Sequence, residues 1–459
     1  MSRKNISLFI VMVALAAITS SCNIYRKYDP AKEGVSKEYI QAKSEAIDST
    51  ALGNISWEAM FTDPTLQALI QQALANNTNM RNAQLNVEIA QAQLLGAKLS
   101  YLPSLALSPN GGAASYGGSK MSWSYQLPLA ASWEIDIFAK ITNAKRQAQA
   151  SLLQSEAYKQ AVRSQLIGAV ANTYYALVTL EKQHKLYIET AQKWKESVKV
   201  MKQMKEAGRY TEVAVVQSIA NYNSVLASIP EIEMSLNDMN NNMSLLLNVA
   251  PQKWSVNLST STLTPTAHFN EGIPMNYLSV RPDVSSAEQS LAMAYYSTNR
   301  ARAAFYPSLA ISATGGFTNL LGSVIKNPGE WFVQLAGQLT APLFSRGQNI
   351  QNLKVTKAQQ QQALNNFEYT LLSASSEVSN AYVKLNKMQQ KQQFLQAQVD
   401  NLGKAVSYNE DLQTLGTTTY LEVLTAQQAL LSSQIQQLAN ELSISQASVS
   451  LYQSLGGGR

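Results

Sequence analysis

The sequence predicts a mainly helical chain that carries a membrane β-barrel portion too small to close by itself, laid out as two structural repeats. Three observations predict it. Ten residues, Pro103 to Gly112 (PSLALSPNGG), return 204 positions later as Pro307 to Gly316 (PSLAISATGG), seven of them identical. Each copy opens a hairpin of alternating apolar and polar residues, the mark of a strand with one greasy and one wet face. From Met121 to Phe138 the odd positions run Met121, Trp123, Tyr125, Leu127, Leu129, Ala131, Trp133, Ile135 and Ile137, against Ser122, Ser124, Gln126, Ser132, Glu134 and Asp136 on the even side. Third, a long proline-free run with coiled-coil spacing follows each hairpin.

Taken in order, the chain opens with Arg3 and Lys4, an apolar run from Ile6 to Ile18, then Thr19, Ser20, Ser21 and the only cysteine, Cys22. Thirteen apolar residues fall short of the roughly twenty that a spanning helix needs, so residues 1–21 read as an export signal. A cysteine behind small residues at the end of a signal resembles a bacterial lipobox, which makes Cys22 the lipidated first residue of the mature chain. A second acyl chain makes such an anchor stable. No other cysteine exists to form a disulfide. Residues 22–61 have no period and read as an extended N-terminal segment.

Repeat 1 occupies residues 62–247. Asp63 caps a helix whose first turn holds Pro64. A second helix runs from Asn79 to Leu99, and the hairpin fills 103–138. A long helix over 141–207 follows, with the seam Leu166, Val170, Thr173, Leu177, Leu180, His184, Tyr187, Ala191, Trp194, Val198, Met201. At 1.5 Å per residue it would be about 100 Å long. Gly208 ends it, and the return helix over 211–247 contains Pro230, a predicted kink. The return helix is too short to accompany the long one throughout, so the helix from Asn79 is expected to stack on its end. Residues 248–276 connect the repeats as strands and loops around that junction. Repeat 2, residues 277–459, follows the same order: a helix from Arg281 to Arg302, a hairpin over 307–344, and long helices over 348–415 and 417–456. Gly416 aligns with Gly208 at an offset of 208. Gly456 to Gly458 read as a flexible end.

Composition narrows function. Charged residues make up 14% of the chain, against a usual quarter or so. The formal charge of +6, or +4 without Arg3 and Lys4, is spread with no basic, aromatic-interleaved patch, so nucleic acid is not an expected partner. No nucleotide loop, zinc helix or nucleophile elbow appears, and no enzyme, cofactor or metal site is expected. His184 reads as a packing residue and His268 as a loop residue. Eight basic residues lie between Lys182 and Arg209, either a dock for an acidic adaptor or a solvated face.

Four strands cannot leave open edges in lipid, where each unpaired backbone group costs several kcal/mol. Since the smallest membrane barrels have about eight strands, the chain must associate, as a dimer or a trimer.

Arg281-Pro282-Asp283-Val284, Ala287-Glu288, the run Ala303 to Leu309, Tyr420-Leu421-Glu422-Val423-Leu424 and Ala426-Gln427, with the doubled layout, resemble the outer membrane efflux protein family, the TolC-like exit ducts of tripartite pumps, in its lipoprotein branch. The resemblance covers Asp63 to Gly456. It implies a homotrimer with a twelve-stranded β-barrel in the outer membrane, continued by a twelve-helix α-barrel in the periplasm. The implied partners are outer-membrane lipid, a periplasmic adaptor and a proton-driven inner-membrane transporter. The helix-turn tips at Gly208, Arg209, Gly416 and Thr417 are the implied docking points. The implied gate lies where the last helix starts. There Glu422 falls on the first of two carboxylate positions one turn apart, Thr425 on the second, and Leu421 where some members place an apolar plug. Thr425 departs from the pattern and leaves one carboxylate ring. Two other functions are open: a duct for type I protein secretion, and a structural coiled-coil lipoprotein with no pore.

Overall fold

The computed structural model describes residues 24–44, 55–115, 117–259, 275–318 and 330–458. They form α1 (Lys37–Ser44), α2 (Trp57–Met60), α3 (Pro64–Asn76), α4 (Thr78–Leu99), β1 (Ser104–Leu107), β2 (Asn110–Ala114), β3 (Ser122–Ile135), α5 (Lys140–Glu206), α6 (Glu212–Leu246), α7 (Met275–Ser279), α8 (Pro282–Ala303), β4 (Ser308–Thr318), β5 (Glu330–Thr340), α9 (Gln348–Thr414) and α10 (Tyr420–Ser454). The doubling is metric: α4 and α8 have 22 residues each, α5 and α9 67, α6 and α10 35. The described chain divides into two compact units, one of residues 24–40, 85–157 and 285–370, the other of 41–84, 158–284 and 371–458.

The first unit holds the sheet. Its antiparallel order is β1, β3, β4, β5, with β2 also on β3. The register places Leu127 opposite Phe317, Trp133 opposite Ile311 and Ile135 opposite Leu309, and continues with Phe317 opposite Trp331 and Leu309 opposite Leu339. Those residues share one face by the two-residue alternation of strands. The other face carries Gln126, Ala130, Ser132 and Glu134 across from Thr318, Thr314, Ser312 and Ala310. The first hairpin's outer strand is broken into β1 and β2, whereas its counterpart β4 is continuous. Pro109, which has no N–H to donate, lies at the break. At Gly316 a Cβ would fall 2.0 Å from the Leu127 carbonyl oxygen, so the repeated glycine lets β3 and β4 approach.

Within the segment expected to be extended, the described residues 24–44 and 55–61 hold a 3-10 turn at Pro30–Lys32 and the short helices α1 and α2. The first unit holds its beginning: Ile24 packs with Ala139 and Ala303, and the Tyr39 hydroxyl donates to Glu288 Oε2 at 3.0 Å. Burial and the nearby Glu288 raise the Tyr39 phenol above its ordinary range. Asp136 caps α5, accepting from the Ile141 and Thr142 amides.

In the second unit the coiled-coil seam is buried at Leu166, Val170, Leu177, Ala191, Trp194 and Met201. The α6 helix continues through Pro230. Residues 260–274, where strands were also expected, lie outside the described residues, and residues 248–259 contain no strand. Their polar atoms find side-chain partners instead: the Trp254 amide donates to Asn240 Oδ1 at 2.8 Å and its indole to Ser244 Oγ at 3.0 Å. The ends of the shorter helices do meet. Asn77, the residue before α4, donates to the Leu246 carbonyl at 2.9 Å and accepts from the Asn79 and Met80 amides. In the second repeat Arg281 donates to the Ser454 carbonyl at 2.8 Å, the same junction built with a charged side chain.

The triglycine is also unlike its expectation. Gly456 has φ +83° and caps α10, with the Gly457 amide donating to the Tyr452 carbonyl. Gly457 and Gly458 accept hydrogen bonds from Ser164 and Gln160. A Cβ on Gly457 would stand 2.4 Å from the Tyr452 ring. These glycines form a packed end.

Candidate functional site

The predicted tip residues sit together at one end of the second unit. The α5 and α9 helices end in matching turns: Gly208 at φ +74° and Gly416 at φ +75° adopt the left-handed conformation that glycine takes without strain. The Arg209 amide returns to the Met204 carbonyl at 2.9 Å, and the Thr417 amide to Leu412 at 3.0 Å, closing both turns as Schellman motifs. Arg209 and Thr417 are thereby held at the exposed tips.

Behind the turns lies a small core of Met201, Val215, Tyr420 and Leu424, flanked by Tyr210 and Ile219. Tyr210 and Tyr420 meet edge to face with centroids 6.3 Å apart. Tyr420 shares a 2.8 Å hydrogen bond with Ser197, and Gln413 Nε2 donates to Tyr210 Oη at 3.3 Å. This cluster ties the starts of α6 and α10 to the ends of α5 and α9. A groove of about 720 Å³ runs beside it, lined by Val213, Gln217, Thr418 and Leu421 among others.

On α10 the buried side is Val423, Leu424 and Ala426, which leaves Leu421, Glu422 and Thr425 exposed on the opposite side. Thr425 Oγ1 donates to the Leu421 carbonyl, and Thr418 Oγ1 to the Glu422 carboxylate. Thr419, the residue before α10, makes no side-chain cap. The equivalent positions of α6 are Val213, Ala214 and Gln217, so only the second repeat offers a carboxylate.

Two pairs were not foreseen. Arg281 grips Asp283 through Nε and Nη2 at 3.0 and 2.7 Å and Glu377 at 2.6 Å. The charged Arg281-Pro282-Asp283 sequence was visible, but Glu377 lies 96 residues away. His184, on the seam, has Nε2 3.5 Å from Glu233 Oε1, and the positions 208 later, Gln392 and Glu441, repeat that contact at 3.2 Å. Burial raises the Glu441 carboxyl, and Lys182 and Gln392 act against that shift. Among the described residues no group of three His, Cys, Asp or Glu is placed to hold a metal ion, and no helix is long and apolar enough to cross a membrane. Cys22 and His268 lie outside the described residues.

The chain thus combines paired long helices with closed turns and a small antiparallel sheet with one apolar face. Residues 69–249 and 273–457 match the outer membrane efflux protein family, and the chain belongs to that family. It is similar to the cation efflux system protein CusC of Escherichia coli, 27% identical over 458 residues and 97% of each chain. It is also similar to the "Probable outer membrane lipoprotein SilC" of Salmonella typhimurium, 28% identical over 423 residues and 88% of each. Among solved structures, CusC superposes with TM-score 0.83 at 25% identity, covering 88% of this chain and 95% of that one. The open state of the Neisseria gonorrhoeae MtrE outer membrane channel gives 0.80 at 27%, covering 91% and 94%.

Proposed function

We propose that this chain is the exit duct of a tripartite efflux pump, a homotrimer that conducts small toxic compounds or drugs across the outer membrane. The observation that carries the reading is the sheet. Its apolar face holds exposed Trp123, Leu127, Leu129, Trp133, Trp331, Val333, Leu335 and Leu339, a surface suited to lipid. From Trp123 to Trp133 the strand advances ten residues; at ~3.4 Å each and a tilt near 40° that is about 25 Å of membrane height, the span between aromatic girdles in such barrels.

The order from β1 to β5 leaves two outer edges in one protomer. Backbone groups there have no water partner in lipid, so a second and third copy close the wall. Three copies give twelve strands, and their helices a periplasmic tunnel of twelve. The polar face, with its hydroxyls, amides and the carboxylate of Glu134, would then line a wet lumen, through which solutes pass without a dedicated binding site. The family resemblance supplies the partners: an adaptor at Gly208, Arg209, Gly416 and Thr417, and a proton-driven transporter in the inner membrane that selects the cargo. Cys22 anchors the mature chain to the outer membrane through its acyl groups.

Native mass spectrometry in detergent is expected to return a trimer of lipidated chains, and a stable monomer overturns barrel and tunnel together. The mature N-terminal peptide is expected to begin at Cys22, diacylated on sulfur and acylated on nitrogen. A mature chain that starts elsewhere, or carries an unmodified thiol, removes the anchor from the reading. In planar bilayers the trimer is expected to conduct.

A further inference from the structure

The two repeats align at an offset of 208, yet their tips differ in charge. Residues 182–209 hold eight basic and three acidic side chains, a net +5, whereas the equivalent 390–417 hold two and three, a net −1. Local pairing does not neutralise the first set. Lys185 meets Glu189 and Lys205 meets Glu212, but among the described residues Lys193, Lys195, Lys199, Lys202 and Arg209 form no ion pair, and all five are exposed. Lys195, Lys199 and Lys202 follow one another at spacings of four and three, which puts them on one stripe of α5. That stripe runs beside the buried seam residues Trp194 and Met201 and ends at the Gly208 turn. Unpaired like charges on one helix face repel one another, a standing cost that a solvated face has no reason to concentrate.

We infer that this stripe, Lys195, Lys199 and Lys202 with Arg209, is a docking surface for an acidic segment of the periplasmic adaptor. The near-neutral counterpart on α9 takes no such segment. The inference rests on the exit-duct reading, and it adds that a trimer offers three basic and three near-neutral tips, so adaptor contacts around the tunnel alternate in chemistry. Charge complementarity of this kind fixes register and speeds encounter, and it weakens as salt screens it beyond about 8 Å.

The test uses the full-length lipidated trimer in detergent. A photo-crosslinker at Thr417 in cells first captures the adaptor, and that adaptor, purified, is the probe. Its affinity is then measured across a salt series for wild type, for K195E/K199E/K202E, for the milder K195Q/K199Q/K202Q, and for K391E/K404E in the second repeat. The expected result is binding about tenfold weaker for the α5 reversal, an intermediate loss for the glutamine set, a shallower salt dependence for both, and K391E/K404E within twofold of wild type. Equal binding and equal salt slope in all four overturn the docking surface while leaving the duct reading intact. If Thr417 captures no adaptor, the duct reading falls and takes the inference with it. Two further outcomes also overturn it. Dissociation of the reversal variant to monomers in native mass spectrometry would place the stripe between protomers. Loss of binding to purified peptidoglycan with unchanged adaptor affinity would assign it to that anionic polymer.

Discussion

Replacing Arg281 with alanine is expected to destabilise the second unit by about 2 kcal/mol. The guanidinium is 7% exposed and makes four hydrogen bonds, to both Asp283 oxygens, to Glu377 and to the Ser454 carbonyl. Alanine removes all of them at once. It strands the carbonyl at the end of α10 and leaves the half-exposed carboxylates of Asp283 and Glu377 without their shared cation. The buried Ser454 carbonyl left without a partner is what makes this loss exceed that of a surface pair. Arg281→Lys keeps the charge but not the fork, and is expected to recover less than half. Denaturant midpoints of the detergent-solubilised trimer give the magnitude, and amide exchange near Ser454 and Leu455 gives the location. An alanine variant with a wild-type midpoint removes Arg281 from the account of that junction.

The same pair carries a pH dependence. Burial pushes the Asp283 carboxyl up, but hydrogen bonds and charge from Arg281 more than offset it, and the net direction is down. A carboxylate depressed in the folded state contributes stability that is fully present above its unfolded value of about 3.9 and lost as pH falls through its folded one. Wild type therefore gives up this contribution below about pH 4. Arg281→Ala, which has already lost it, is expected to show a shallower acid limb over the same window.

Periodicity and the repeat made the long elements legible, because a 67-residue helix with a seam at four and three leaves few alternatives. The first strand was less so. Pro109 stands where the second copy has Ala313, and a missing N–H was the available signal that the outer strand breaks there. The triglycine was misread as loose because glycine at the residue after a helix is as much a cap as a hinge, and only packing against Tyr452 and Ser164 decides. The helices within residues 22–61 were hidden for a related reason: Tyr39 is fully buried only through Glu288 and Phe367, far along the chain. Local pattern does not report such contacts. The tip turns were readable from glycine alone, whereas the Tyr210 and Tyr420 pairing behind them needs four helix ends in place.

The largest functional effect is expected at the start of α10. Glu422→Ala with Leu421→Ser is expected to raise the closed-state conductance of the trimer in planar bilayers about tenfold, which corresponds to removing about 1.4 kcal/mol from the closed state. By threefold symmetry, a trimer of the proposed kind brings three copies of Glu422 and three of Leu421 together near the constriction. Carboxylates gathered there hold a cation, and leucines exclude water when they touch. Both side chains are exposed in one protomer, so neither is committed to the core of its own subunit. The competing role for Glu422 is to complement the positive start of the helix. Its carboxylate takes the Thr418 hydroxyl, and the backbone amide of Glu422 itself bonds to the Thr419 carbonyl, so the side chain is held by a neighbour's hydroxyl instead of closing a capping box. The two roles separate by measurement: loss of a cap lowers stability by under about 1 kcal/mol and leaves conductance alone, whereas loss of the ring opens the channel at unchanged stability. Divalent cations added from the periplasmic side are expected to block wild type more than Glu422→Ala. Wild-type conductance and wild-type block in the double variant would move the gate away from these residues.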